Sequence, residues 1–204
     1  TISTDKWLPI DKKKARKTLS IEIGKKIIIF VSSNGIKDKR KNFDFVLKIL
    51  NENKIKANDL EIITVGSDVK NFEFKNYKFR NFKINYNDFK SLILLYSAAD
   101  LLVMPSLSEA FGQTALEAGS CCTPTIAFKN TGTEDLILHK ETGYLSNYND
   151  INDFSYGINW CLENTSLNSV NIGIKARNFI INKFSSDVVS SKFIDVCKKI
   201  LSEK

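Results

Sequence analysis

The sequence predicts an α/β fold, a doubly wound parallel sheet with helices on both faces. Three observations carry that expectation. Short runs such as Lys25–Val31 and Leu60–Val65 are mostly β-branched or apolar, as in strands buried on both faces. Segments of helical period separate them, and the connections are short enough for right-handed crossovers. At 204 residues the chain suits one domain with a well-buried core.

The elements follow in order. Lys25–Val31 is the first strand and Ser32–Asn42 a polar loop; Phe43, Val46, Leu47 and Leu50 then recur at helical spacing. Leu60–Val65 is the second strand, closed by Gly66. Tyr77–Ile84 alternates in part and reads as a short strand, and Asp88–Ala98 as a helix with Phe89, Leu92, Ile93 and Tyr96 on one face. Leu101–Met104 is a strand stopped by Pro105, Phe111–Cys121 a helix, Thr125–Phe128 a strand and Gly143–Leu145 a last short strand. The tail Ile151–Leu201 is mostly helical in period. In such sheets ligands bind beyond the carboxyl ends of the strands, here Ser32–Asn42, Gly66–Ser67, Ile84–Asn87 and Ser106–Thr114.

Composition narrows the function classes. With 43% hydrophobic and 26% charged residues, the chain is neither disordered nor collagen-like, and no apolar run is long enough for a transmembrane helix. Thr1 opens the chain with neither signal core nor cleavage pattern, so the start reads as the cut edge of a longer polypeptide. Cys121, Cys122, Cys161 and Cys197 form no C-x-x-C spacing and fit reduced thiols in a cytoplasmic setting, with Cys161 and Cys197 expected in the core. Trp7 and Trp160 are expected to pack at domain edges. His139 is the only histidine and reads as a surface loop residue, which leaves little material for a His-built metal site or a serine triad. The net charge of +7 is concentrated in residues 1–60, with 15 Lys+Arg against 7 Asp+Glu. Lys12–Lys17 reads as a solvated helix face, and without interleaved aromatics no nucleic-acid partner is expected.

The densest chemistry lies in Ser106–Glu117, where Glu109 and Glu117 bracket a helix start with seven residues between them. A helix beginning near Phe111 would leave the N–H groups of Gly112, Gln113 and Thr114 unpaired, a cradle for an anion such as a diphosphate. Gly112 would let the ligand approach the backbone. Two carboxylates beside a phosphate site would repel it unless they addressed hydroxyls, as a sugar and a ribose would supply. Spacing alone also fits an ordinary N-terminal helix carboxylate and a solvated one.

Leu95–Ala118, with its Ala-Asp-Leu-Leu-Val-Met-Pro-Ser-Leu-Ser-Glu-Ala-Phe-Gly run, resembles the signature of retaining GT-B glycosyltransferases of group 1 (family 4), whose donor domain carries an E-x7-E motif. The resemblance continues through Cys121–Pro124, Gly132–Ile137 and Thr142–Leu145, and upstream through Ile28–Ser32 and Lys39–Asp44. It implies a Rossmann-like sheet spanning residues 1–204, the nucleotide-sugar-binding C-terminal half of such an enzyme, with the acceptor-binding N-terminal half absent. It places Glu109 near the donor sugar, Glu117 on the ribose, and Arg40 and Lys41 on the diphosphate. Phe111, Gly112 and Gln113 would contribute backbone N–H groups and Thr114 a hydroxyl. Gly66 and the turn Phe82–Asn85, including Lys83 and Ile84, would flank the base. The sequence departs from the family pattern at Ser33-Asn34-Gly35, Asn42, Cys122 and Asp135. Asn42, where the family commonly has Gly, is tolerable in a left-handed conformation, and the Cβ of Cys122 implies looser helix-to-strand packing.

The implied activity is hexosyl transfer with retention from a UDP-sugar, less readily a GDP-sugar, to a glycan or lipid-linked acceptor of surface polysaccharide synthesis. No cofactor and no metal are expected, and this chain without its other half is expected to transfer poorly. Peripheral contact with the inner face of the membrane fits the basic first third. The alternatives are a non-catalytic nucleotide-sugar-binding module and another GT-B enzyme of epimerase or phosphorylase type.

Overall fold

A computed structural model of the chain describes residues 1–56, 59–66, 72–84, 87–165 and 171–202; Ser67, Asn85 and Tyr86, in two of the expected ligand loops, lie outside them. The elements are α1 (Lys12–Thr18), β1 (Lys26–Val31), α2 (Phe43–Asn51), β2 (Leu60–Val65), β3 (Phe72–Phe74), β4 (Tyr77–Phe82) and α3 (Phe89–Ala98). They continue with β5 (Leu101–Met104), α4 (Gln113–Ser120), β6 (Thr125–Phe128), β7 (Gly143–Ser146), α5 (Ile151–Asn164), α6 (Ile172–Phe184) and α7 (Ser186–Ser202). The strands form one seven-stranded sheet of order β3-β4-β2-β1-β5-β6-β7, parallel except for β3.

The continuous apolar runs are explained by burial on both faces. Along β1, Ile27, Ile29 and Val31 enter a core shared with α1, α3, α4 and α6 residues such as Ala15, Leu92, Tyr96, Leu116 and Ile180. Ile28 and Phe30 point the other way, against Phe43, Val46 and Leu50 of α2 and Phe154 and Ile158 of α5. Strand periodicity of two therefore leaves no polar face to reveal.

Several expectations are corrected. The strand expected over Tyr77–Ile84 ends at Phe82, and it is the second arm of a hairpin with β3, which escaped notice because three residues carry no periodic signal. Arg16 is not part of a solvated face: it is 4% exposed and donates to Ala98 O, Ile23 O and Lys25 O, and to Asp100 Oδ2 at 2.7 Å. Cys161 is buried as expected, but Cys197 lies on α7, none of whose residues is buried. Trp7 and Trp160 are partly buried, each packed against a different core. No helix among the described residues is long and apolar enough to cross a membrane.

Candidate functional site

The chain enters the sheet at β1, runs out to one edge through β2 and β4, and returns to the other side of β1 at β5. The reversal lies between β1 and β5, so the loops after these two strands border the crevice where such sheets take ligands. They are joined directly, since the Leu107 N–H donates to Arg40 O at 2.9 Å.

The β1 loop folds on itself before it reaches the crevice. Asp38 Oδ1 accepts from the Arg40 N–H at 3.0 Å, and Asp38 O from the Lys41 N–H at 3.0 Å and the Asn42 N–H at 3.2 Å. Asn42 then takes the left-handed conformation (φ 58°, ψ 47°) at the start of α2, the conformation in which Asn is tolerable. This tight turn aims Lys41 inward: its Nζ lies 2.6 Å from Glu109 Oε2, and Lys41 is only 8% exposed. Arg40 is half-exposed above the same carboxylate, its NH1 3.8 Å from Glu109 Oε2 and 3.4 Å from Ser108 O. Arg40 is thus partly solvated and Lys41 is not.

Glu109 is fixed by its own backbone, whose O accepts from the Gly132 N–H at 2.8 Å. Helix α4 starts at Gln113, two residues later than the sequence predicts, because Gly112 is left-handed (φ 91°, ψ 50°) and serves as its N-cap. A Cβ at Gly112 would also lie 2.4 Å from Thr133 Cγ2, so no other residue fits unstrained. The N–H groups of Phe111, Gly112, Gln113 and Thr114 find no hydrogen-bond partner among the described residues. Four donors at the positive end of a helix thus follow directly on the loop that Arg40 and Lys41 contact, a setting suited to an anion. The Thr114 hydroxyl is turned toward Met104 Sδ at 3.2 Å. Ser106 Oγ, on the same loop, is buried without a partner among the described residues, and nothing in the sequence singled it out.

Glu117 is the fifth residue of α4, just over one turn from its start, and is half-buried against α3. Burial raises its pKa to about 7, opposed by hydrogen bonds from Tyr96, whose O–H lies 3.2 Å from Oε2, and from Gln113. Gly66, Lys83 and Ile84 stand at the ends of β2 and β4, where the Gly66 N–H donates to Phe82 O at 3.1 Å. Gly66 has φ 150°, and a Cβ there would meet Ser32 O at 1.9 Å. These strands are two and three places from β5, roughly 10 and 14 Å at ordinary strand spacing. The structure thus brings Arg40, Lys41 and Glu109 into contact, and sets Gly66, Lys83 and Ile84 at the ends of β2 and β4 on the same side of the sheet.

His139 is exposed, with Nδ1 accepting from the Leu145 N–H, and takes no part in the site. Among the described residues no group of three or more His, Cys, Asp and Glu could hold a metal. A surface cavity of about 480 Å³ near the start of β2 is lined by Glu22, Lys25, Glu61 and Arg80, which pair with one another, and by Glu73 and Lys78.

Residues 11–179 match the family model of glycosyl transferases group 1. A D-inositol 3-phosphate glycosyltransferase of Pseudarthrobacter chlorophenolicus is 50% identical over 50 residues, 24% of this chain and 12% of that protein. The capsular polysaccharide biosynthesis glycosyltransferase CapM of Staphylococcus aureus is 28% identical over 111 residues, 54% of this chain and 29% of CapM. Among solved structures, sucrose-phosphate synthase of Thermosynechococcus elongatus covers the whole chain with TM-score 0.77 at 21% identity, through 52% of its own length. The C-terminal domain of a glycosyl transferase group 1 family protein of Francisella tularensis is matched over its full length, covering 91% of this chain with TM-score 0.71 at 19% identity. An Anabaena protein, Alr3699/HepE, solved with UDP and glucose, covers 97% of the chain and 55% of its own, with TM-score 0.73 at 19% identity. The chain spans well under two thirds of the curated relatives it matches. Its sheet is that of the GT-B C-terminal half, and by the extent of the family match the chain belongs to the glycosyl transferases of group 1.

Proposed function

We propose that the chain is the donor-binding half of a retaining glycosyltransferase that takes a nucleotide diphosphate sugar, with UDP the favoured nucleotide. The observation that carries this reading is the Arg40–Lys41–Glu109 cluster on the loop that leads into α4, whose first four N–H groups, Phe111 to Thr114, have no partner among the described residues. In the ligand-free protein Lys41 is neutralised by Glu109; a diphosphate would take over Lys41 and Arg40 and release the carboxylate to sugar hydroxyls. As the sugar leaves, charge accumulates on the diphosphate. Preorganised cations and helix donors stabilise that charge more than the ground state, with no resident metal or cofactor required by this scheme. Glu117, one turn along, would hold the ribose, and Gly66, Lys83 and Ile84 the base end of the shelf. Acceptor attack on the face from which the diphosphate departs gives retention.

UDP is supported by the neighbour solved with UDP and UDP-glucose, and a surface-polysaccharide acceptor by the name of the capsular relative. A glycan or lipid-linked acceptor, met through the other half of the enzyme at the cytoplasmic face of a membrane, completes the proposal. Calorimetric titration of the chain with UDP and GDP, in wild type, Glu117→Ala and Arg40→Ala/Lys41→Ala forms, tests it. The expected result is binding of UDP over GDP, weakened at least tenfold by either change, the scale of one lost charge-assisted contact. Binding that neither change alters would overturn the assignment of the site.

A further inference from the structure

We propose that Tyr96 is a positioning residue for Glu117, holding its carboxylate in the orientation and charge state that accept a ribose diol. The inference rests on the donor-site reading above and extends it to a residue that would never touch the ligand.

The Tyr96 ring is fully buried in the core beneath α3. It lies 6.2 Å from the Trp7 ring, and its backbone O accepts from Thr123 Oγ1 at 2.6 Å. Its hydroxyl is therefore placed by core packing, not by a flexible stem, and it reaches Glu117 Oε2 at 3.2 Å. Glutamate has three rotatable bonds, and an undirected carboxylate would lose entropy on meeting two vicinal hydroxyls. The bond from this rigid donor, beside the one from Gln113 on the same helix, directs the carboxylate and leaves its remaining lone pairs for the diol. The same bond favours the ionised form, the one able to accept from both hydroxyls.

The groups facing Glu117 are few. From α3 comes Tyr96, Lys90 being at that helix's exposed start; from α4 itself come Gln113 and Cys121, whose thiol burial keeps protonated. From α6 comes Arg177, which donates to Ser120 O. Strands β5 and β6, Leu101–Met104 and Thr125–Phe128, contribute no titratable side chain. Tyr96 is thus the one neighbour from another element with a hydrogen bond to the carboxylate among the described residues.

The test compares wild type, Tyr96→Phe, Glu117→Gln and the double variant of the 204-residue chain. Carboxyl ¹³C resonances of labelled glutamate follow Glu117 without ligand, and UDP titrations from pH 6 to 9 follow its use. A hydrogen bond to a charged acceptor is worth about tenfold in an equilibrium constant. Tyr96→Phe should therefore raise the carboxyl midpoint, weaken UDP about fivefold at pH 7, and leave it within about twofold of wild type at pH 9. In the Glu117→Gln background the same change should add nothing. An unmoved midpoint, or an equal loss of affinity at every pH, would overturn the role of Tyr96 while leaving the donor site standing. A moved midpoint in a chain that binds no UDP at any pH would instead overturn the donor-site reading, and the ribose role with it.

Discussion

Glu117 sits where function and stability disagree. Burial raises its pKa to about 7, and the folded state therefore holds a proton that the unfolded chain releases near the ordinary value of 4.5. The sign follows: its favourable contribution is complete below about pH 4.5 and is lost as pH rises through 7, so above that pH the ionised side chain is a liability on the order of 2–3 kcal/mol. Glu117→Gln should accordingly raise the melting temperature at pH 8 and leave it nearly unchanged at pH 5, while weakening UDP binding; calorimetric melts at the two pH values would show it. At this scale both glutamates were legible from the order of residues around them, and the left-handed Asn42 from its place in a loop that commonly has Gly. The resemblance named Arg40 and Lys41 together, but which of the two is buried was not legible, because only the turn over Asp38 decides which side chain points inward. Cys122 takes a φ of 61° at the end of α4, with the Cys122 N–H on Gly119 O and the Thr123 N–H on Ala118 O, a left-handed conformation that the family glycine suits. Cys122→Gly should stabilise the chain by about 1 kcal/mol in denaturant titration.

Between elements, the carboxylate of Asp100 joins α1 to the sheet. Oδ2 accepts from Arg16 NH2 at 2.7 Å and from the Ile27 N–H of β1 at 2.8 Å, and Oδ1 from Lys12 Nζ at 2.8 Å. Burial pushes the Asp100 carboxyl up, but Lys12, Arg16 and the Ile27 N–H outweigh it and hold it below the usual range. Its contribution is therefore present above about pH 4 and lost as pH falls further. Asp100→Asn leaves the Arg16 charge buried without its counter-ion and should cost about 3–5 kcal/mol in urea unfolding at pH 7, with the gap closing toward pH 3. Nothing in the sequence showed this, since Arg16 and Asp100 are 84 residues apart and Arg16 lies within a lysine run. The central strands β1 and β5 were readable because they are almost wholly apolar, and β4 by partial alternation, whereas β3 is too short to carry a pattern and shows only in its pairing with β4.

The whole molecule is one sheet with two cores, and each core holds its own reporter. Trp7 packs on the side of α1, α3 and α4, and Trp160 on the side of α2 and α5. Alternate residues of β1 enter both, so neither core can open without exposing the back of the strand that the other covers. Cooperative loss of both is the consequence, despite a length above that of most two-state domains. Trp7→Phe and Trp160→Phe chains, each reporting through the remaining indole, should melt at midpoints that agree once the small stability effect of each change is read from far-ultraviolet circular dichroism. Two separated transitions within one variant would show that the cores unfold independently. The proposed ligand adds a second demand, because its shelf is built from the ends of β1, β2, β4 and β5 and is lost when the sheet opens. UDP at about a hundredfold over its Kd should stabilise the fold by about 2.7 kcal/mol and raise both tryptophan midpoints together by roughly 5–10 °C for a chain of this size. A rise in one reporter alone would place the nucleotide on one core and not at the shared edge.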